Sequence, residues 1–437
     1  MIVITNRSIS LLLMLVMMVS TLYPQDKVKL SIEQALQNGL QNNRMLKISD
    51  SKVKAALAKV NEVDASRYPW LKFSGAYTRL SEVPPFTIGT FQITSSILNN
   101  YNARLSAVQP LFMGNKISAG LEIAEIGASA SAEDYRKDKD ELSLNIKNAY
   151  WTLYKVIQFK KILDENVSSV NAHIKDAKNL EAQGLLTRND ILKIEVQLSD
   201  IKYKLADAKN SVQLAMLALN NAMNISLSTQ VELTSIPEIS NAELAGLDNL
   251  IGSSFENRPE IKSADMRIKM SESGVTVAKS GMYPQVSLAA NYTYARPNSR
   301  IFPTKDRFDG TWDLSLALNY DIWNWNTTSH QTEQAEAQLM QAKEGMGITK
   351  DGVTMEVTSS YLSVKLAKEK IEIAEQSKSQ SDENLRITNE KFKQGLALSS
   401  DLIDAEVANL TAKTNYTTAV VDYEIALAKL QKSTGVK

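Results

Sequence analysis

Residues 183–196 read QGLLTRNDILKIEV, and residues 394–407 read QGLALSSDLIDAEV. The two segments lie 211 residues apart, and the dipeptide Tyr68-Pro69 likewise recurs 215 residues later. A repeat of roughly 200 residues is much longer than the ~20–50 residues of a solenoid unit. The sequence therefore predicts two similar halves that contain the same elements in the same order.

The first 25 residues have the features of a secretory signal peptide. Arg7 supplies a positive charge, the run 9–19 is almost entirely apolar, and Ser20 and Thr21 are small residues that a peptidase accepts. The run is shorter than the ~20 residues that span a bilayer as a helix. A signal peptide over residues 1–25 is therefore favoured over an uncleaved membrane anchor.

Composition argues against several kinds of site. The chain has no cysteine, so it offers no disulfide, thiolate nucleophile or thiolate metal site. Lys+Arg and Asp+Glu both number 49, so no nucleic-acid partner is expected. The two histidines, His173 and His330, do not form a pair in the sequence, and Gly-rich phosphate loops are absent. We therefore expect no enzyme activity, no cofactor and no metal site.

Four short segments alternate between apolar and polar residues, and aromatic residues such as Trp70 and Trp312 stand near their ends. The length of each segment matches the ~9–11 residues of a tilted transmembrane strand. A half-buried sheet in a soluble domain alternates in the same way. Four strands cannot close a barrel alone, since outer-membrane barrels have at least about 8, so in lipid other chains must supply the rest. The segments lie at about 70–80, 101–112, 285–295 and 311–322.

Long helical patterns follow the strands in each half. A heptad seam of apolar residues runs from Leu142 to Ala177, with His173 expected on the polar side, and residues 116–183 contain no proline. At ~1.5 Å per residue such a helix is roughly 100 Å long. Its counterpart covers about 327–394, and Gly184 and Gly395 end the two long helices.

Shorter helices complete each half. Helices at about 188–222 and 399–432 follow the glycines, and one helix opens each half, at about 31–67 and 247–281. The predicted repeats therefore cover about 26–236 and 237–437.

Two neighbouring motifs in the second half, together with the order of the predicted elements, resemble those of a known protein family. Phe392-Lys393-Gln394-Gly395-Leu396 is followed by Asp401-Leu402-Ile403-Asp404-Ala405. With the order helix, strand, strand, long helix, glycine turn, helix, written twice after a signal peptide, the chain resembles the TolC-like outer-membrane efflux family. The resemblance covers essentially the whole mature chain.

This resemblance implies a fold class, partners and a location. The fold would be an α+β membrane protein of two tandem repeats. Three copies would pool four strands each into one transmembrane β-barrel, continued by a long coiled-coil α-helical barrel. The homotrimer would lie in the outer membrane of a Gram-negative bacterium, contact its lipid and extend into the periplasm. A periplasmic adaptor protein and an inner-membrane pump would be its partners.

Two groups of residues near the glycines are candidate functional residues. By position, Asp401 and Asp404 match the family's aspartates around the closed periplasmic entrance, where a ring of carboxylates repels anions and attracts cations. Asp190 is the equivalent of Asp401 and is included with both aspartates in the predicted gate constriction, whereas Lys193 stands in the place of Asp404. The alternative to the gate is that acidic residues near the start of a helix only interact favourably with the helix dipole. The second group is a predicted tip that contacts the adaptor, and it comprises Gly184, Leu185, Leu186, Gly395, Leu396 and Ala397. The alternative is that these residues only form an ordinary turn between two helices.

The resulting functional hypothesis is a passive channel-tunnel for tripartite efflux or type I secretion. The alternative is a periplasmic coiled-coil scaffold or adaptor whose sheet belongs to a soluble domain. The strands distinguish the two, because a membrane sheet presents one apolar face to lipid.

Overall fold

The computed structural model describes residues 28–84, 86–93, 97–239 and 244–436. The predicted signal peptide, residues 1–25, lies outside the described residues. The first half contains β1 (Val28–Leu30), α1 (Ile32–Asn42), α2 (Arg44–Ala65), β2 (Trp70–Arg79), β3 (Phe86–Ile88), β4 (Phe91–Ile93), β5 (Asn99–Phe112), α3 (Lys116–Ala182), α4 (Arg188–Met223) and β6 (Val231–Leu233). The second contains α5 (Leu247–Asn257), α6 (Pro259–Lys279), β7 (Gln285–Arg296), β8 (Asp309–Asn319), α7 (Thr327–Lys393) and α8 (Ser399–Thr434).

The two long helices have the same length. α3 and α7 each contain 67 residues, and their ends lie within one residue of the predicted ones. The predicted seam is buried where it was expected, since Ile146, Leu153 and Val170 are all completely inaccessible to solvent. No helix in the described part of the chain contains an apolar stretch long enough to cross a bilayer.

The single helices predicted at the start of each half are wrong, because each is interrupted once. Asn43 has extended backbone angles, and its side-chain Oδ1 accepts the Met45 N–H at 2.8 Å, so it starts a new helix. Arg258 interrupts the second, since the residue before a proline is driven out of the helical region. The Arg258 guanidinium donates to Glu356 Oε2 at 2.6 Å and is 3% exposed, which fixes this break in place.

The described residues form two compact units, and each unit draws on both sequence halves. The first unit consists of Met1–Ile48, described from Val28, together with Lys137–Arg258 and Val353–Lys437. It includes the parallel pair β1–β6, so the segment predicted as a plain link between the halves contributes a strand. The second unit consists of Ser49–Arg136 and Pro259–Gly352 and contains the main sheet.

The main sheet has four antiparallel strands in the order β2-β5-β7-β8. Side chains alternate between the faces of a strand, and residues paired across strands share a face. The register therefore places most large apolar side chains of the sheet on one face, where Phe73 is 70% and Leu316 67% exposed, whereas Trp70 and Val108 lie on the other. That apolar face comprises Leu71, Phe73, Gly75, Tyr77, Tyr101, Ala103, Leu105, Ala107, Leu288, Ala290, Tyr292, Tyr294, Trp312, Leu314, Leu316 and Leu318.

We expect Leu316→Arg to reduce the amount of protein recovered in the outer-membrane fraction. An arginine on a lipid-facing strand position costs about 2–4 kcal/mol near the bilayer midplane. Ser315→Arg is the matched control, because the adjacent side chain of β8 lies on the opposite face. Membrane fractionation followed by immunoblotting measures both variants. Equal recovery of the two would contradict a lipid-facing apolar face.

Candidate functional site

Both long helices end in the same glycine turn. Gly184 and Gly395 have φ angles of 74° and 70°, a left-handed conformation that glycine adopts without steric cost. In the first turn the Leu185 N–H donates to the Leu180 carbonyl and the Gly184 N–H to the Glu181 carbonyl, both at 2.9 Å. The pair of bonds is the Schellman arrangement, and the second turn repeats it with the same two distances.

The helices that follow the turns begin differently. Thr187 caps α4 through a reciprocal pair of bonds, in which the Asp190 N–H donates to Thr187 Oγ1 at 3.3 Å and the Thr187 N–H to Asp190 Oδ2 at 3.1 Å. In the second half Leu398 occupies the capping position and has no side-chain oxygen. Only the bond from the Leu398 N–H to Asp401 Oδ2, 3.1 Å, is present.

The six predicted tip residues divide into two groups. Leu185 and Leu396 are 59% and 73% exposed, and a Cβ atom added to Gly395 would lie 3.6 Å from Leu185 Cδ1, so the two turns adjoin. Leu186 and Ala397 instead pack against the buried cluster of the unit, which includes Phe392 and Leu402. The exposed apolar surface is therefore narrower than the sequence indicated, although Leu398, 66% exposed, adds to it.

The structure places Asp190 in a polar network between the two turns. Its Oδ1 accepts a hydrogen bond from the Ser399 hydroxyl at 3.1 Å, and Lys193 Nζ lies 3.7 Å from the same oxygen. The Thr187 hydroxyl and backbone bonds, more than those other contacts, hold the pKa of the Asp190 carboxyl below its ordinary value. Asp190 therefore has local structural partners that account for its presence.

Asp401 lies in the first turn of α8 and Asp404 in the second, and both residues are exposed. Asp401 accepts the backbone bond described above. Asp404 makes no hydrogen bond or ion pair with any part of the chain that the structure describes. Its carboxylate is therefore available to a ligand, an ion or another copy.

A buried ionisable pair lies near these aspartates and was not predicted. His173 Nδ1 lies 2.6 Å from Glu406 Oε1, and the two side chains are 5% and 1% exposed. The Ser169 hydroxyl approaches the same Glu406 oxygen at 3.5 Å. The expectation that His173 lies on the polar side of the coiled coil is wrong. The sequence offered one signal for the burial of Glu406. Residues four apart share a helix face, so Glu406 lies on the same face as Leu402 and Leu410.

Comparison with known proteins identifies the family. The model of the "Outer membrane efflux protein" family matches residues 35–224 and 250–436, which is most of the chain. The chain belongs to the outer membrane efflux protein family. The resemblance drawn from the glycine turns and the strand order is confirmed, and so is the expected location in the outer membrane.

Two kinds of relative support this membership. The "Probable outer membrane lipoprotein SilC" of Salmonella typhimurium is 23% identical over 316 residues, covering 71% of this chain and 65% of SilC. The chain therefore spans about two thirds of the length of such curated relatives. Among solved structures, CusC has a TM-score of 0.81 at 16% identity, with 95% of this chain and 96% of that chain covered. The open state of Neisseria gonorrhoeae MtrE has a TM-score of 0.77 at 16% identity, with coverages of 93% and 89%. These likenesses establish the shared fold.

Proposed function

We propose that this protein is a passive outer-membrane channel-tunnel built from three copies of the chain. The observation that carries the proposal is the four-stranded sheet with one exposed apolar face and two unpaired edge strands, β2 and β8. In lipid an unpaired strand edge leaves backbone groups without hydrogen bonds, so the edges must meet other strands. β2 and β8 run in opposite directions, since three antiparallel pairings separate them, so β8 of one copy can pair antiparallel with β2 of the next.

The helices of the first unit also support association of several copies. Leu362, Leu366 and Ile373 of α7 are between 52% and 62% exposed, and Val196 and Tyr203 of α4 are each 70% exposed. Apolar side chains at such helical spacings usually face a neighbour. We assign them to the contacts between copies in the helical tunnel. A soluble scaffold, the alternative, offers no reason for a sheet face that stays apolar and exposed.

Efflux partners follow from the family and from the relatives' names. CusC is named a cation efflux system protein and TtgC of Pseudomonas putida a probable efflux pump outer membrane protein. We propose that this chain likewise receives its cargo from an inner-membrane pump through a periplasmic adaptor. It then needs no catalytic residues of its own, because the pump supplies the energy.

The native mass of the protein extracted in mild detergent from outer membranes tests the assembly. We expect a complex of three chains, which pools twelve strands from the four of each copy. Light scattering coupled to size-exclusion chromatography measures the protein mass separately from the detergent. A monomer would leave both sheet edges unpaired and would overturn the channel.

The gate proposal concerns Asp401 and Asp404, which three copies would place around the entrance. We expect Asp401→Asn and Asp404→Asn to reduce the cation selectivity of the closed channel, because each removes three carboxylates from the ring. Asparagine retains an acceptor oxygen for the Leu398 N–H, so the start of α8 is kept.

The reversal potential in a salt gradient across a planar bilayer measures this selectivity. Asp190→Asn is the matched control, because Asp190 already has Thr187, Ser399 and Lys193 as partners. We expect a smaller change in this variant. Unchanged selectivity in both ring variants would contradict the gate and favour a role in helix capping alone.

The adaptor proposal concerns the exposed leucines of the two turns. We expect Leu185→Asp combined with Leu396→Asp to abolish export and cross-linking to the adaptor, because charge at a buried apolar contact is costly to desolvate. Leu227→Asp is the control, since Leu227 is 54% exposed in the loop after the far end of α4. Unchanged cross-linking in the double variant would exclude the turns as the adaptor contact.

A further inference from the structure

The face of the main sheet opposite the apolar one contains four charged residues within its strands. The register aligns Lys72, Ser106, Asn291 and Asp313 in one row across all four strands. The next row contains Ser74, Arg104, Thr293 and Thr311. Lys72 and Arg104 are therefore diagonal neighbours on β2 and β5, at a separation that long side chains can bridge.

The acidic residues of this polar face have partners. Asp313 accepts a hydrogen bond from Asn291 Nδ2 at 2.8 Å, and Arg300 Nη1 lies 3.7 Å from its other oxygen. Asp309, at the start of β8, lies 3.1 Å from Arg307 Nε. Arginines of the loop between β7 and β8 thus neutralise both carboxylates.

The basic residues of the polar face are not neutralised in this way. Within residues 28–84, 86–93, 97–239 and 244–436, neither Lys72 Nζ nor the Arg104 guanidinium lies at ion-pair distance from a carboxylate. Both side chains are exposed. The polar face consequently carries an excess of positive charge, and that excess is concentrated on β2 and β5.

We propose that Lys72 and Arg104 form an anion-binding ring on the inner wall of the barrel, so that the exit of the channel favours cargo bearing carboxylate, sulfonate or phosphate groups. This proposal rests on the proposed trimeric barrel, because the apolar face can face lipid only if the polar face lines the lumen. Three copies would place six cations around one axis. Rings of lysine and arginine side chains select anions in other pores, since a low-dielectric wall strengthens their field.

The mechanism requires no covalent step. An anionic group entering the barrel exchanges part of its hydration for contact with these cations, while a cation of similar size is repelled. The name of CusC refers to cation efflux. The wall of this chain's barrel has the charge suited to the opposite class of cargo.

Blocking of single channels tests the proposal. The purified trimer is inserted into a planar bilayer, and pyrenetetrasulfonate is added on the side of the barrel. Hexaamminecobalt(III) serves as the cationic probe in a separate experiment. We expect the tetrasulfonate to block wild-type channels. The two probes are compared in channels carrying Asp401→Asn with Asp404→Asn, which lack the proposed carboxylate ring that would itself bind the cobalt complex, and there we expect the tetrasulfonate to block at the lower concentration. We expect Lys72→Gln with Arg104→Gln to raise the blocking concentration of the tetrasulfonate by about 10-fold or more.

The controls separate this inference from the channel itself. Lys305→Gln removes a cation from the loop between β7 and β8 and is expected to leave blocking unchanged. Ionic current without any blocker reports whether the protein forms a channel, and its absence would overturn the proposed function. Equal or stronger blocking by the cobalt complex in channels carrying Asp401→Asn with Asp404→Asn would overturn the anion-binding ring. Unchanged tetrasulfonate blocking in the variant carrying Lys72→Gln with Arg104→Gln would also overturn it.

Discussion

The hydrogen bonds of the sheet edges are the constraint on which the proposed assembly depends. A single chain provides the four strands of the main sheet, and the backbone groups on the outer edges of β2 and β8 have no partner within that sheet. In water such edges are solvated, but in lipid they are prohibitively costly. In the proposed assembly lipid covers the exposed apolar face, and lipid in turn requires that the edges be paired. The proposed trimer satisfies both requirements at once, and the long helices then have neighbours for their own exposed apolar residues.

The duplicated halves share a scaffold and differ at the glycine turns. Each long helix has 67 residues and ends in a Schellman turn with equal hydrogen-bond distances. Beyond that point Thr187 and Leu398 cap their helices differently, and Lys193 and Asp404 offer opposite charges. One half of the chain therefore neutralises its acid locally, whereas the other leaves an acid available. Duplication supplied the architecture, and divergence at a few positions supplied two chemically different surfaces.

Much of the architecture was predictable because local patterns determine it. The heptad spacing of apolar residues predicted the long helices, and the alternation of apolar and polar residues predicted the strands. Gly184 and Gly395 predicted the turns that end the long helices. The interruptions at Asn43 and Arg258 were missed, although Pro259 offered a direct signal for the second. The burial of His173 and Glu406 was missed because a charged residue in a helical pattern is assigned to the surface by default. The pairing of β1 with β6 links residues about 200 positions apart, and three-residue strands leave almost no periodicity to detect.

The hydrogen bond from Ser399 to Asp190 has an evolutionary consequence. It joins the first helical residue of α8 to the capping network of α4, across the boundary between two copies of an ancestral segment. After duplication, two halves are ordinarily free to accumulate substitutions separately. At this position a substitution in one half acts on the other, because replacing the serine removes a partner of the aspartate. The two glycine turns are therefore physically coupled, although they lie in different halves of the sequence.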